Sequence, residues 1–468
     1  MADADGAEAL EADLVVIGGG LAAQRAALEV TRLGGSVLML EKMEAVGGSS
    51  VMSGGSFAFA GTPQQREAGI KDSEERLRDD LITVGGGRND PALVDVLVRG
   101  QLAEYELLRE AGIVFKPVQS SSGQSVPRTH STNPREVLET LHRMVVAMPD
   151  FALRLRTAAT RLRRGTDGRF EAVEAEDAAT GRRLLCRARR GILLASGGFS
   201  RGEDLLELFA PETRKAVRGG GAGNAGDGIR LAWEHGAALA DMGYVKGTFG
   251  AWPEEIPGEA HTILLAVYRG AIAVNLAAKR FANESWSYKK LGAACLEQPR
   301  ARAFQIFDET IMAQAVEGIP TFDFHAVQRK GRLVSAPTLG DLANRLGLDA
   351  GVLATTVATY NADIERHGED RSFGRKHLSH TFGTPTSIAR GPFHAYPCST
   401  VINSTYAGLR VRADMTVLDI RGAPMDGLYA AGEVTGGFHG EAYMTGSSLV
   451  KALVCGGVAA RAALGSNA

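Results

Sequence analysis

The stretch DLVVIGGGLAAQRAALEVTRLGGSVLMLEK, residues 13–42, decides the fold. Leu14 to Ile17 are a short apolar run of the kind that forms a buried parallel strand. Gly18, Gly19 and Gly20 follow, with Ala23 at the end of a G-x-G-x-x-G/A pattern. A helical stretch runs from about Ala22 to Leu33, and Val37 to Leu40 make a second strand that ends in Glu41. Gly18 allows the tight turn, Gly20 lets backbone amides approach a pyrophosphate, and Ala23 allows close helix–strand packing. Glu41 is placed to accept hydrogen bonds from ribose hydroxyls and repels a 2′-phosphate, which argues against NADP. The fingerprint alone does not separate NAD from FAD.

The residues that follow do separate them. The segment KMEAVGGSSVMSGGSFAFAG, 42–61, carries Lys42, Gly48, Ser49, Ser50, Ser53, Gly54 and Gly55. Small residues and hydroxyls at this density suit a chain laid against a flat cofactor. GILLASGGFS (191–200, with Gly197) and MDGLYAAGEVTGG (425–437, with Glu433) each read as a buried strand opening into glycines. In a parallel sheet such strand ends gather on one edge, where ligands bind. The pattern predicts an α/β domain built from both ends of the chain, with a middle segment inserted.

Composition narrows the class. The chain has 468 residues, enough for more than one domain, and a formal net charge of −2, which gives no sign of a nucleic-acid surface. Cys186, Cys295, Cys398 and Cys455 are scattered without CxxC spacing, against a metal or iron–sulfur site and against a disulfide framework. A reduced, cytoplasmic protein is the expectation. The acidic start MADADGAEALEAD lacks the apolar region of a secretory signal, and no apolar run reads as long enough to cross a bilayer.

With these motifs in order, the sequence resembles the fumarate reductase/succinate dehydrogenase flavoprotein superfamily. DLVVIGGGLAAQRAALE, EKMEAVGGSSVMSGG, LLASGGF, GNAGDGIRLAWEHGAALADM, VNLAAKRFANES and GLYAAGEVTGGFHG carry the resemblance across nearly the whole chain. It implies a Rossmann-like FAD-binding domain, residues 1–245 and 391–468, with an inserted α+β capping domain, 246–390. Substrate would lie between the two and exchange hydride with flavin N5. Gly18, Gly20 and Glu41 would hold the ADP half. Ser49, Ser50, Gly54 and Gly55 would line the flavin, and Asp227 would help close the site. Glu433 would bind the ribityl chain. Ser447, Ser448 and Leu449 would begin a last helix whose N-terminus stabilises negative charge on the reduced flavin. The loop GGSSVMSGG lacks the histidine that links FAD in respiratory members, so noncovalent FAD is expected.

Three departures concern the substrate. Tyr288 stands where fumarate reductases keep an arginine acid after RFxNE. Ser404 and Tyr406, in NSTYAGL, replace the histidine and methionine of a carboxylate grip. Tyr443, in GEAYMTGSS, replaces a second arginine. The two tyrosines Tyr288 and Tyr443 resemble those of the 3-ketosteroid Δ1-dehydrogenases and related cyclic-ketone dehydrogenases. That resemblance implies Tyr288 as the base that takes an α proton. It implies Tyr443 and the Gly446 amide, or with a one-residue shift that of Ser447, as donors to the ketone oxygen. Such donors favour the transition state over the ground state. A tyrosine base is demanding, since an unperturbed phenol gives up its proton only at about pH 10. Lys289 and Lys290 adjoin Tyr288 as candidates to lower that value.

The alternatives are packing roles. Tyr288 would then sit under Trp286, and Tyr406 would be core. His439 faces the flavin or substrate, or serves only as a hydrogen-bond partner. Tyr105 is a candidate helper tyrosine, His130 reads more readily as structural, and Arg128 and Arg269 are unassigned candidates for a single carboxylate. No second dinucleotide fingerprint, haem motif or iron–sulfur spacing occurs. Electrons would therefore leave to a quinone, a carrier protein or oxygen. The function expected is desaturation of a cyclic ketone at its α,β carbons; the alternative is a fumarate-reductase-like ene-reductase.

Overall fold

The computed structural model describes residues 8–254, 260–379 and 383–465. They form two compact units: Met1–Ala210, Gly220–Val245 and Ser404–Ala468 make the first, Pro211–Gly219 and Lys246–Asn403 the second.

The first unit is α/β. Its central strand, Glu8–Ile17, lies parallel to Val37–Leu40 on one side, with Leu14 opposite Val37 and Ile17 opposite Leu40. On its other side it lies parallel to Arg183–Leu194. Phe151–Arg154 extends the parallel sheet beyond Val37–Leu40, and Pro424–Ala430 extends it beyond Arg183–Leu194. The strand Thr416–Leu418 adds an antiparallel edge. Leu14, Val15 and Val16 are wholly buried, as a strand covered on both faces requires. The connection from Ile17 to Val37 is the helix Leu21–Arg32, so the predicted strand–helix–strand unit is present.

The last helix, Ser447–Leu464, packs on Leu21–Arg32. A Cβ at Gly456 would lie 2.4 Å from the Ala22 carbonyl oxygen, so only glycine permits this approach. By length and composition this helix is apolar enough to cross a membrane, contrary to the expectation that no such run exists. Most of it is buried, and its apolar character is explained by core packing.

The second unit is built on a sheet ordered Thr248–Ala251, Phe393–Ile402, Ala303–Asp308, Ile272–Val274, each neighbour antiparallel to the next. Helices Tyr288–Leu296, Leu339–Leu346 and Ala350–His367 accompany it. Phe393–Ile402 also pairs with Val334–Ala336 and, in parallel, with Val217–Arg218. These pairings move the boundary. Residues 391–403 and 211–219 belong to the second unit, where the sequence suggested a cut at 391 and none near 211.

The motif KRFANES explains itself here. Arg280 is sandwiched by the carboxylates of Glu284 (2.6 Å) and Asp370 (2.8 Å), all three nearly inaccessible. Asn283 Nδ2 donates to the Gly374 carbonyl oxygen, 2.9 Å. A buried pair of this kind is strongly destabilising to break. It fixes the turn that leads into the helix Tyr288–Leu296.

Candidate functional site

In the first unit the glycine turn has the geometry of a phosphate cradle. Gly18 has φ +109°, and a Cβ there would lie 2.4 Å from the Ala195 carbonyl oxygen. The helix Leu21–Arg32 starts after Gly20 with no side-chain cap from Gly20 and no acid in its first turn. Its positive end is therefore available to an anion. Ser50 Oγ accepts the Leu21 amide at 3.1 Å, and Gly47 donates to the Gly19 carbonyl oxygen, so the loop 47–50 folds over the turn.

Glu41 is buried at the end of its strand. Its two oxygens accept the amides of Gly19 and Met43, both at 2.8 Å. Burial pushes its carboxyl above the usual range, against the pull of those amides. The acid thus organises the turn. Glu41→Ala is expected to weaken FAD retention, followed by flavin fluorescence on dilution, because the two charge-assisted bonds that Glu41 would make to the ribose hydroxyls, about 2–4 kcal/mol together, are lost; unchanged retention would place the ADP half elsewhere.

Around the other strand ends, Lys42 Nζ pairs with Asp227 at 2.5 Å. Ser49 Oγ accepts the Gly221 amide at 3.0 Å, and Ser53 Oγ donates to the Ser50 carbonyl oxygen. A Cβ at Gly48 or Gly54 would meet nothing within 4 Å, whereas Gly55 is required by the Thr132 carbonyl oxygen. Backbone packing thus accounts for a glycine at position 55. Glu433 Oε1 accepts the Thr405 amide (3.0 Å) and Asn224 Nδ2 (3.3 Å). Ser196 Oγ and Asn224 Oδ1 are buried and lack a hydrogen-bond partner. Such atoms are expected to find one. A dinucleotide rich in hydroxyls and phosphate oxygens fits this set. Asn224 and Ser196 were missed as individual residues, although both lie in motifs quoted above.

Farther along, Tyr406 and Tyr443 stack face to face, ring centroids 4.5 Å apart and planes within 9°. His439 meets both rings edge-on at 5.4 Å. Tyr406 has φ +55°, an uncommon conformation for a bulky residue and a source of strain. His439 is buried, its Nε2 has no partner, and burial with the Lys451 charge keeps the ring neutral. Lys451, on the last helix, donates to the Thr435 carbonyl oxygen at 3.0 Å, and burial pushes its amine down to about 8. Sequence reading passed over Lys451 because it lies on a mostly apolar helix.

Tyr443 departs from expectation in one respect. The Gly446 amide donates to the Tyr443 hydroxyl at 2.8 Å instead of standing beside it as a second free donor. Ser448 Oγ donates to the same oxygen at 3.3 Å. Gly446, with φ +91°, caps the last helix, and a Cβ there would lie 2.8 Å from the Ala58 amide. Ser447 Oγ is committed to the Met444 carbonyl oxygen, and Leu449 is buried in the first turn of that helix. Ala23 is fully buried, Gly197 has φ +80°, and Ser404 is partly buried two residues before Tyr406.

In the second unit Tyr288 is the first residue of its helix, and the Ser287 hydroxyl accepts the Lys290 amide. Tyr288, Trp286 and Tyr268 pack on the second unit's core. Tyr268 donates its hydroxyl proton to the Trp286 carbonyl oxygen at 2.7 Å.

The remaining candidates separate cleanly. Tyr105, His130, Phe59 and Phe115 form one buried aromatic cluster in the first unit. His130 is fixed by Thr62 Oγ1 and the Arg128 carbonyl oxygen, and burial pushes its imidazole down to about 4. Arg128 is wholly buried against Asp72 (2.7 Å) and Asp80 (2.5 Å), so its charge is already matched. Arg269 lies over the Phe322 ring at 4.5 Å.

Residues 13–449 match the FAD binding domain family. The chain belongs to that family. It is an FAD-dependent oxidoreductase. It is 28% identical over 454 residues to a probable fumarate reductase of Shewanella frigidimarina (strain NCIMB 400), covering 95% of this chain and 74% of that protein. The open conformation of a flavocytochrome c3 fumarate reductase superposes with TM-score 0.86 at 27% identity, over 99% of this chain and 79% of that one. A 3-ketosteroid Δ1-dehydrogenase from Sterolibacterium denitrificans shares the fold, with TM-score 0.79 at 23% identity, over 98% of this chain and 100% of that one.

Proposed function

We propose that the protein desaturates a ketone at its α,β carbons, acting on a 3-ketosteroid or a smaller cyclic ketone. The observation that carries this proposal is the Tyr443 hydroxyl. It accepts from Gly446 and Ser448, so its own proton is left to donate. Burial raises its proton affinity, so it stays a phenol and a donor at neutral pH. A ketone oxygen that gains charge as the α proton leaves matches such a donor. The Tyr406 ring and neutral His439 extend an uncharged wall, which favours a neutral substrate over a dicarboxylate. Tyr288 is proposed as the base that takes the α proton. FAD, when bound, supplies the hydride acceptor.

The proposed FAD contacts are Gly18, Gly20, Ala23, Glu41, Lys42, the loop Gly48–Gly55, Gly197, Asp227, Glu433 and the helix start Ser447–Leu449. Attachment is proposed to be noncovalent: acid precipitation is expected to leave the yellow colour in the supernatant, and colour in the pellet would refute it. Electrons are proposed to pass to a quinone, a carrier protein or oxygen, and the proposed setting is the cytoplasm, where four free buried cysteines are at ease.

A second reading is an ene-reductase on an unsaturated acid or enone, supported by the relative named as a probable fumarate reductase. One anaerobic experiment separates them. Saturated cyclic ketones and 3-ketosteroids are expected to bleach the oxidised flavin, and succinate is not. Bleaching by succinate alone, or reoxidation of reduced flavin by fumarate but by no enone, would favour the second.

A further inference from the structure

We propose that Lys289 is a positioning residue for Tyr288: its amine, pinned on the Lys246 carbonyl oxygen and the Thr248 hydroxyl, lies over the Tyr288 ring and stabilises the phenolate that takes a proton from substrate. The inference rests on the assignment of Tyr288 as base.

By sequence, Lys289 and Lys290 are equal candidates. The structure distinguishes them. Lys290 is exposed, with its head 3.9 Å from the Trp286 ring centroid. Lys289 is only 6% exposed. Its Nζ lies 3.0 Å from the Lys246 carbonyl oxygen, 2.9 Å from Thr248 Oγ1 and 5.6 Å from the Tyr288 ring centroid. A lysine ordinarily buries its stem and keeps its head in water. Drawing the head inside is costly, and the bonds to the Lys246 carbonyl and Thr248 hydroxyl oxygens offset part of that cost. Burial and the neighbouring Lys246 charge pull the amine down to about 7.

On this proposal the phenol and the amine titrate as a pair. The pair that has given up one proton is either phenol with amine or phenolate with ammonium. The first form predominates, because burial weakens the amine's hold on its proton; the second, minor form is the competent base, and the anchored ammonium stabilises its phenolate. In the reaction the α C–H bond breaks, its electron pair stays on the substrate as the enolate, and the proton forms the O–H bond of Tyr288.

Lys246 precedes the strand Thr248–Ala251, which packs on the helix Tyr288–Leu296. Tyr268 is a buried phenol already bonded to Trp286. Cys295 on the same helix and Cys398 on Phe393–Ile402 are thiols held neutral by burial. Glu212 and Arg300, on the short turns Pro211–Thr213 and Pro299–Ala301 that touch the helix, are exposed.

The test is the pH profile of α-proton exchange with heavy water, measured on the reduced holoenzyme with the cyclic ketone that bleaches flavin best. Lys289→Met is expected to move the rise of the profile up by about one pH unit and to slow exchange at neutral pH about tenfold. Ketone binding is expected to stay unchanged. Lys289→Arg is expected to restore the rate. Difference absorbance of tyrosinate, with Tyr288→Phe as reference, reads the same shift without turnover. A Lys289→Met profile that coincides with wild type, while Tyr288→Phe abolishes exchange, overturns this proposal alone. Wild-type exchange in Tyr288→Phe overturns the base assignment and this proposal with it. Should Lys289→Met fail to fold, Thr248→Val deletes one anchor and keeps the shape; a smaller shift in the same direction is expected, and no shift overturns the proposal.

Discussion

Tyr288→Phe is expected to lower ketone desaturation by a factor of about 10² to 10⁴, the usual worth of a positioned general base. The substitution deletes one oxygen. The ring, its packing beside Trp286 and Tyr268 on the second unit's core, and the Ser287 cap of the helix all remain. Stability and FAD content are therefore expected to match wild type. The decisive measurement blocks hydride transfer by reducing the flavin first, then follows α-proton exchange in heavy water. Exchange is expected to stop while ketone affinity stays near normal. If exchange proceeds at the wild-type rate, Tyr288 is a packing residue. The partition matters, because a residue that merely shaped the pocket would lose binding and exchange together.

The fold was legible because several independent constraints coincide in residues 13–42. An apolar run, a glycine turn, a helix and a terminal acid each need the others, and Gly18 makes the tight turn that the Glu41 carboxylate holds through the Gly19 amide. The same holds for Glu433, drawn into a strand-end cluster by a glycine-rich loop. What was not legible were matters of pairing. Residues 391–403 read as the return of the chain to the first domain, yet Phe393–Ile402 is the strand that joins the second unit's sheet together. Strand partners are set by contacts remote in sequence, and no local pattern marks them. Hydrogen-bond direction was also hidden. The resemblance implied Tyr443 with the Gly446 or Ser447 amide as joint donors, and only the turn geometry reveals that the Gly446 amide serves the hydroxyl. Arg128 looked like a spare cation until Asp72 and Asp80 appeared against it.

Tyr443→Phe is expected to slow α-proton exchange and desaturation by roughly 10² to 10³, the cost of one lost oxyanion donor. It differs from Tyr288→Phe in a second observable. In the proposed mechanism the Tyr443 hydroxyl would contact the ketone oxygen from the ground state onward, so its loss is expected to weaken binding of a ketone more than of the analogue lacking the oxygen. Its ring is expected to keep its stack on Tyr406 and its edge contact with His439. Removing the oxygen also strips the buried Gly446 amide of its acceptor at the start of the last helix. An unsatisfied buried donor costs about 1–3 kcal/mol, so a lowered melting temperature is expected alongside the kinetic loss. Ser448→Ala separates the two effects. It removes the longer, 3.3 Å bond to the hydroxyl and leaves both the Gly446 bond and the donor proton in place. A small rate loss with an unchanged melting temperature is expected there. If Tyr443→Phe lowers the melting temperature yet bleaches flavin with the best ketone at the wild-type rate, the hydroxyl is a helix cap and no more, and the ketone oxygen is held by other groups.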